Sequence, residues 1–204
     1  GRSTLERMST NFPFSPPFKI PVITSWVAGA LIWKWVLSPE YGAINNILAL
    51  FGIEGPSWLQ SSKWAMPAIV LASIWKDMGY FGLMLMSGLQ GINQEYYDAA
   101  AIDGAGKIKQ FTRITLPLLT PTLFFVLIIS LINSFQLFTQ IMIMTPDGGP
   151  LGSTMVMVER IYKCGFRYYE MGTAAAYSWI LFAILLLLTM VQMKLQNKWV
   201  NYDD

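Results

Sequence analysis

The sequence predicts an all-α membrane protein, a polytopic helical bundle with four transmembrane helices in the residues given. Of the 204 residues, 54% are hydrophobic and only 13% are charged, about half of the roughly 25% charge of an ordinary soluble domain. The mean hydropathy is +0.44. Two long runs contain no charged residue, one between Arg113 and Asp147 and one between Glu170 and Lys194. Each run exceeds the roughly 20 apolar residues that a helix needs to cross the hydrocarbon layer.

The same composition excludes several classes of protein. So apolar a chain is not intrinsically disordered, and a net charge of +2 is too small for a nucleic-acid-binding surface. The sequence has no histidine, which excludes a histidine-based catalytic triad or metal site. Its one cysteine, Cys164, excludes an internal disulfide framework and a cysteine-ligated zinc cluster. We therefore expect neither catalytic residues nor a metal site.

The four predicted spans cover about residues 20–37, 64–90, 117–144 and 171–193. The first contains Lys34 near its end, where a long side chain can reach the membrane surface. The second contains Lys76 and Asp77 near its middle, a pair that could face a partner helix or a wet cavity. The alternative is that this pair marks a break between two shorter segments, helped by nearby glycines.

The distribution of basic residues predicts cytoplasmic termini, with the chain passing several times through a plasma (inner) membrane. Four crossings place both ends on one side, and cytoplasmic loops carry the excess of Lys and Arg. The predicted inner side has eight basic residues and the outer side four. The inner set is Arg2, Arg7, Lys19, Lys107, Lys109, Arg113, Lys194 and Lys198, and the outer set is Lys63, Arg160, Lys163 and Arg167.

The segment 93–116 predicts a polar helix-turn-helix on the inner side, between the second and third spans. Asn93 is a good N-cap, and Asp103-Gly104 is typical of a helix stop with glycine in the left-handed position. A second short helix, with Ile108 on its apolar face, then leads to Pro117. A solvated polar loop is the alternative. The run of alanine and glycine residues between Ala99 and Gly106 argues against it, because so smooth a surface lets another protein approach closely.

This segment also resembles the cytoplasmic signature of the permease subunits of binding-protein-dependent ABC importers, in the carbohydrate-uptake group of the maltose and glycerol-phosphate type. That signature has E-A-A, then D-G-A, then F, I and L-P at fixed offsets. The matching residues here are Asp98, Ala99, Ala100, Asp103, Gly104, Ala105, Phe111, Ile114, Leu116 and Pro117. Asp98 departs from the pattern, because the family usually has glutamate there.

The resemblance implies a type I ABC importer transmembrane domain over residues 18–204. Residues 1–17 do not resemble the family, and we expect the leading one or two helices to be missing from the sequence. In the family, the signature segment is a coupling helix that docks on an ATPase subunit. The implied partners are ABC ATPase subunits, a second homologous permease subunit, an extracytoplasmic solute-binding protein and membrane lipid, with no nucleic acid. ATP and magnesium would bind the ATPase, so this chain would be a non-enzymatic subunit without a cofactor.

A solute path is predicted along the third span. Asn133, Gln136 and Gln140 are spaced at i, i+3 and i+7 and share one helix face. Their amides suit sugar hydroxyls, and Tyr177 and Trp179 in the last span could supply stacking aromatics. The alternative is that the amides bond a neighbouring helix.

The predicted function is a permease subunit of an ATP-driven importer for a sugar or related solute delivered by an extracytoplasmic binding protein. An ion-coupled secondary transporter or a channel subunit is the alternative, and it would need buried acids along its path. Asp77 is the one candidate within a span. A membrane scaffold would explain the spans but not the signature.

Overall fold

The structure is a computed structural model that describes residues 21–199, and the regular elements in that range are all helical. We number the α-helices in chain order. They are α1 (Trp26–Val36), α2 (Ala43–Leu50), α3 (Ala65–Gln90), α4 (Gln94–Ile102), α5 (Lys107–Gln110), α6 (Leu116–Leu118), α7 (Thr120–Phe135), α8 (Thr139–Met144), α9 (Met157–Tyr162) and α10 (Met171–Trp199). Single π-helical turns lie at Phe111–Thr115 and Lys163–Arg167, and 3-10 turns lie at Pro146–Gly148 and Pro150–Gly152.

Three stretches of the described chain are long and apolar enough to cross a membrane: Ala65–Gln90, Thr120–Met144 and Met171–Gln196. They coincide with the second, third and fourth predicted spans. Only 17%, 6% and 11% of their most apolar windows are buried within the chain. Most of their apolar surface is therefore available to lipid or to partner subunits, as a membrane bundle requires.

The first predicted span differs, because the helix in its place is short. Residues 21–23 are helical, a break follows, and α1 then runs for 11 residues from Trp26. Ser25 explains the break, since its hydroxyl oxygen accepts a hydrogen bond from the backbone N–H of Ala28 at 3.3 Å and caps a new helix. Residue 20 lies outside the described part of the chain.

Lys76 and Asp77 do not interrupt the second span, so the alternative of two shorter segments is wrong. Helix α3 continues through them for 26 residues. Lys76 reaches instead to the segment before α1, where its Nζ donates to the carbonyl oxygens of Pro21 at 2.5 Å and Val22 at 3.3 Å. The basic side chain thus satisfies backbone acceptors next to the break.

The third predicted span is longer at its N-terminal end than expected and is broken near its C-terminal end. Helical turns run almost without interruption from Lys107 to Phe135, and we call this range the rod. Pro117 lies inside it; since proline donates no backbone hydrogen bond, the turn before it is a wider π turn. The helix stops after Phe135 and resumes at Thr139, because Phe138 has the non-helical dihedral angles φ −141° and ψ −64°.

The buried core lies where α1, α3 and α8 meet. Its members are mostly small or aliphatic: Ala30, Leu37, Ala68, Ile69, Ala72, Ile141 and Met144. Alanines at the contact let helices approach closely, as is usual between membrane helices. Trp33 and Trp75 add an edge-to-face contact with ring centroids 5.9 Å apart.

The segment between α8 and α10 is held together by ion pairs. Lys163 contacts Glu159 at 3.1 Å, and both side chains are buried. Lys163 also lies 3.7 Å from Asp147, which accepts a hydrogen bond from Arg167. These contacts tie the turn after α8 to α9 and to the π turn at Lys163–Arg167.

Candidate functional site

The turn between α4 and α5 has the geometry that the sequence predicts for it. The side-chain oxygen of Asn93 accepts from the backbone N–H of Glu95 at 3.1 Å and caps α4. Gly104 has φ +75°, and the backbone N–H groups of Gly104 and Ala105 donate to the carbonyls of Ala101 at 3.1 Å and Ala100 at 2.9 Å. This is a Schellman motif, which ends a helix on a glycine in the left-handed conformation.

The turn projects an apolar surface that nothing in the described chain covers. Ile102 is 87% exposed and Ile108 is 83% exposed, so each projects almost its whole side chain. A Cβ atom added at Gly104 or Gly106 would have no neighbour within 4 Å. We use the name coupling surface for eight exposed residues of this turn and of the helical turns on either side of it: Asp98, Ala99, Ile102, Asp103, Gly104, Gly106, Ile108 and Phe111. An apolar protrusion that is this exposed indicates a binding surface for another protein.

The signature residues divide between this surface and its support. Ala100, Ala105, Ile114 and Pro117 are half-buried and Leu116 is partly exposed, so most of these side chains pack toward the body of the turn and the rod. Asp98 and Asp103 are exposed on the same turn as the apolar residues, where they can meet a basic partner. The signature itself includes neither Ile102 nor Ile108, the two most exposed side chains of the surface.

The coupling surface is fixed to the rod by side-chain hydrogen bonds. The hydroxyl groups of Tyr97 and Thr115 lie 2.9 Å apart, and Thr115 is buried inside the π turn. Gln110 Nε2 donates to the carbonyl oxygen of Ala105 at 3.1 Å. These hydrogen bonds join the turn directly to the start of the third span. Sequence reasoning missed the Tyr97–Thr115 pair, whose members are 18 residues apart.

A cavity of about 720 Å³ lies between the middle of α3 and the break after α7. Asn133, Gln136 and Gln140 all line it, together with Asp77. Gln136 lies in the break between α7 and α8, so the three amides do not share the single continuous helix face that their spacing predicts. The volume is in the range of small-molecule sites.

The three amide side chains make no hydrogen bond to another helix within the described residues 21–199. Asn133 and Gln136 are exposed and Gln140 is buried. The solute-path and helix-contact interpretations of these residues both stay predictions.

The aromatic residues at the cavity are not the two that the sequence suggests. Trp26, Phe81 and Phe138 line it. Trp179 is 71% exposed on another face of the chain, where its ring contacts Phe182 with centroids 5.7 Å apart. Tyr177 does not line the cavity either. The break after Phe135 that orients Phe138 has no proline or glycine to indicate it in the sequence.

In the part of the chain that the structure describes, no three His, Cys, Asp or Glu side chains are grouped so that they could hold a metal ion.

Residues 11–202 match the family model for the inner membrane component of binding-protein-dependent transport systems. The sulfoquinovosyl glycerol transport system permease protein SmoG of Agrobacterium fabrum is 36% identical over 191 residues, covering 91% of this chain and 62% of the relative. The probable ABC transporter permease YesP of Bacillus subtilis is 34% identical over 92% of this chain and 61% of its own length. The sn-glycerol-3-phosphate transport system permease protein UgpA of Shigella flexneri is 34% identical, over 90% of this chain and 62% of the relative.

The chain thus spans about 62% of the length of these relatives. Among solved structures, a chain of a bacterial ABC transporter that imports the acidic polysaccharide alginate superposes with a TM-score of 0.82 at 24% identity. The match covers 97% of this chain and 68% of that one. The two chains share a fold over nearly all of the present sequence.

Proposed function

The chain belongs to the family of inner membrane components of binding-protein-dependent transport systems, and from this we propose that it is a permease subunit of an ATP-driven sugar importer. The solute would be a sugar or a related polyhydroxylated compound, delivered by an extracytoplasmic binding protein. The names of the relatives support that class, since they include permeases for a sugar glycerol conjugate and for glycerol 3-phosphate.

The coupling surface is the observation that carries this proposal. It protrudes, its two most exposed side chains are isoleucines, and it is joined to the rod through Tyr97 and Thr115. Exposed acidic and basic residues border it: Asp98, Asp103, Lys107 and Lys109. A cleft on an ATPase subunit would receive Ile102 and Ile108, while Asp98 pairs with a basic residue of that subunit. ATP favours the closed ATPase dimer, and the docked surface then biases the permease toward the matching conformation.

The remaining partners follow from the same scheme. ATP and magnesium bind and react on the ATPase subunits, and this chain contributes no catalytic group. A second, homologous permease subunit completes the solute path by covering part of the exposed apolar helix faces. In this proposal the coupling surface faces the cytoplasm, and the two termini of the chain lie on the same side of the membrane.

Membership of this family disfavours the ion-coupled alternative. An ion-driven path would also need several acids in sequence, and Asp77 is the one acidic side chain at the cavity among the described residues.

Replacing Gly104 with tryptophan tests the docking role. A Cβ atom at this position meets nothing within 4 Å in the described part of the chain, and the new side chain would occupy the centre of the coupling surface. We expect the variant to insert in the membrane at normal abundance and to lose the ATPase subunit in affinity purification of the complex. Gly52→Trp is the matched control, because Gly52 also has a positive φ, +71°, and open space around its Cβ position.

The control removes the effect of backbone strain, since a side chain in the left-handed region costs roughly 1–2 kcal/mol at either position. Normal ATPase recovery with Gly104→Trp, or equal loss with Gly52→Trp, would contradict the docking role.

A further inference from the structure

Asp77 has a position that the coupling mechanism does not require. It is the thirteenth of the 26 residues of α3, so it lies near the middle of the membrane if α3 spans it. Its side chain is half-buried and lines the cavity with the three amides. An ionisable group inside a membrane span is costly and usually has a functional reason.

The neighbouring cation does not neutralise this carboxylate through a direct bond. Lys76 Nζ is held by the carbonyl oxygens of Pro21 and Val22, at 2.5 and 3.3 Å. Within residues 21–199, no Lys or Arg side chain lines the cavity, and no hydrogen-bond donor contacts the Asp77 carboxylate. The carboxylate oxygens thus remain available to whatever enters.

The chemistry of the lining favours one class of solute. A carboxylate only accepts hydrogen bonds, and the amides of Asn133, Gln136 and Gln140 both donate and accept. Hydroxyl groups satisfy both kinds of partner, and the faces of Trp26 and Phe81 suit the apolar face of a sugar ring. An anionic group would face like charge with no cation among the described lining residues, which is unfavourable for binding.

We propose that Asp77 is a specificity-determining residue whose carboxylate makes this chain's part of the solute path accept neutral polyhydroxylated solutes and disfavour anionic ones. This inference rests on the proposed transport function. It also gives the chain a preference opposite in charge to the alginate and glycerol 3-phosphate named for proteins that it resembles.

The electrostatic effect of Asp77 on charged molecules in the cavity can be measured without a transported solute. Ser134 lines the cavity, and Ser134→Cys places a thiol there, while the native Cys164 is buried and gives the background rate. The assembled transporter in lipid nanodiscs is treated with a cationic trimethylammonium-ethyl or an anionic sulfonatoethyl methanethiosulfonate. The ratio of the modification rate by the cationic reagent to that by the anionic reagent is then compared with and without Asp77→Asn. Asp77→Asn should lower this ratio by about three- to tenfold, as expected for the loss of one charge several ångströms from the thiol in a wet cavity.

Glu54→Gln is the control, since it removes one negative charge from an exposed loop remote from the cavity lining. It should leave the rate ratio unchanged. A ratio that Asp77→Asn does not alter would overturn the inference, as would an introduced thiol that neither reagent modifies in a folded complex.

Uptake then tests the preference itself. Proteoliposomes with the binding protein and ATP are offered galactose beside galacturonate and glycerol beside glycerol 3-phosphate. The parent transporter should prefer the neutral member, and Asp77→Asn should reduce that preference. ATP-driven preference for the charged member would overturn the role of Asp77 and leave the proposed function intact. The thiol assay needs no ATP, so loss of ATPase docking would not affect it.

Discussion

Gly104 determines the shape of the coupling surface, because its positive φ turns the chain back on α4. The Schellman hydrogen bonds then leave the side chains of Ile102 and Ile108 on either side of the turn with almost no intramolecular contact. A residue with a Cβ atom adopts this conformation only with strain. One glycine thus accounts for both the sharpness of the turn and its smooth centre.

Asp147 provides a residue-scale prediction that depends on pH. The hydrogen bond from Arg167 and the charges of Arg167 and Lys163 lower the pKa of this exposed carboxyl in the folded protein. The stabilisation is complete above the unfolded pKa of about 3.9 and is lost as the pH falls through the lower, folded pKa. Asp147→Asn removes it, and asparagine tolerates the positive φ of 63° found here.

We therefore expect the parent to have a higher Tm than Asp147→Asn at pH 7, with the difference shrinking below about pH 4. Thermal unfolding of the purified complex at a series of pH values measures this. A Tm difference that stays constant down to about pH 3 would be inconsistent with the ion pair, and Arg167→Gln should reproduce the loss at neutral pH.

At this scale, sequence reasoning succeeds where local rules decide the outcome. The Asn93 cap and the Gly104 stop depend on neighbouring residues and are predicted correctly. The Tyr97–Thr115 hydrogen bond is missed, because two hydroxyl residues 18 positions apart carry no periodic pattern. Trp26 is missed at the cavity for the same reason, since its place beside the break after α7 arises only in the folded bundle.

Among the elements, the rod is the one that would connect the coupling surface to the cavity in the proposed mechanism. It begins at Lys107 in the coupling turn and ends at Phe135, beside the amides that line the cavity. The π turn at Phe111–Thr115 lets the helix pass Pro117 without a break. A rigid element with one end on each site can shift both together.

The contact between α3 and α7 gives a prediction for this element pair. A Cβ at Gly88 would lie 2.5 Å from Thr122 Oγ1 and 2.9 Å from Leu119 Cδ1. Gly88→Ala should therefore destabilise the protein by about 1–2 kcal/mol through overpacking. Gly82→Ala in the same helix should be neutral or slightly stabilising, because its Cβ would meet nothing within 4 Å.

Unfolding of the two variants in mixed detergent micelles, followed by tryptophan fluorescence, compares their free energies of unfolding directly. If both variants had the parental stability, the close approach of α3 and α7 would be contradicted. A greater loss of stability for Gly82→Ala than for Gly88→Ala would also contradict it, because the close contact would then lie at Gly82.

Element boundaries are predictable where charge and length decide them, and not where backbone geometry does. The uncharged run after Glu170 predicts the last span, and α10 begins at Met171. The break after Phe135 has no Gly or Pro nearby, and the sequence LINSFQLFTQ continues a plausible helical pattern through it. Tertiary contacts of Phe138, such as its ring contact with Tyr162 at 5.2 Å, are outside what periodicity can indicate.

At the scale of the whole molecule, the exposed faces of the long helices require partners. Large apolar side chains such as Phe125, Phe182 and Leu187 project outward from α7 and α10. Lipid covers some of this surface, and the second permease subunit of the proposed complex would cover more. In that proposal the open side of the cavity would lie at the boundary between the two permease chains.

In the proposed mechanism, ATP binding by a partner ATPase moves the cavity through the coupling surface and the rod. The modification rate of the introduced thiol in the Ser134→Cys transporter, measured in nanodiscs with and without Mg-ATP, tests this directly. We expect Mg-ATP to change this rate severalfold, Gly104→Trp to abolish the change and Gly52→Trp to preserve it. A rate that Mg-ATP does not alter in the intact complex, or an equal response in the Gly104→Trp variant, would show that the coupling surface does not control the cavity.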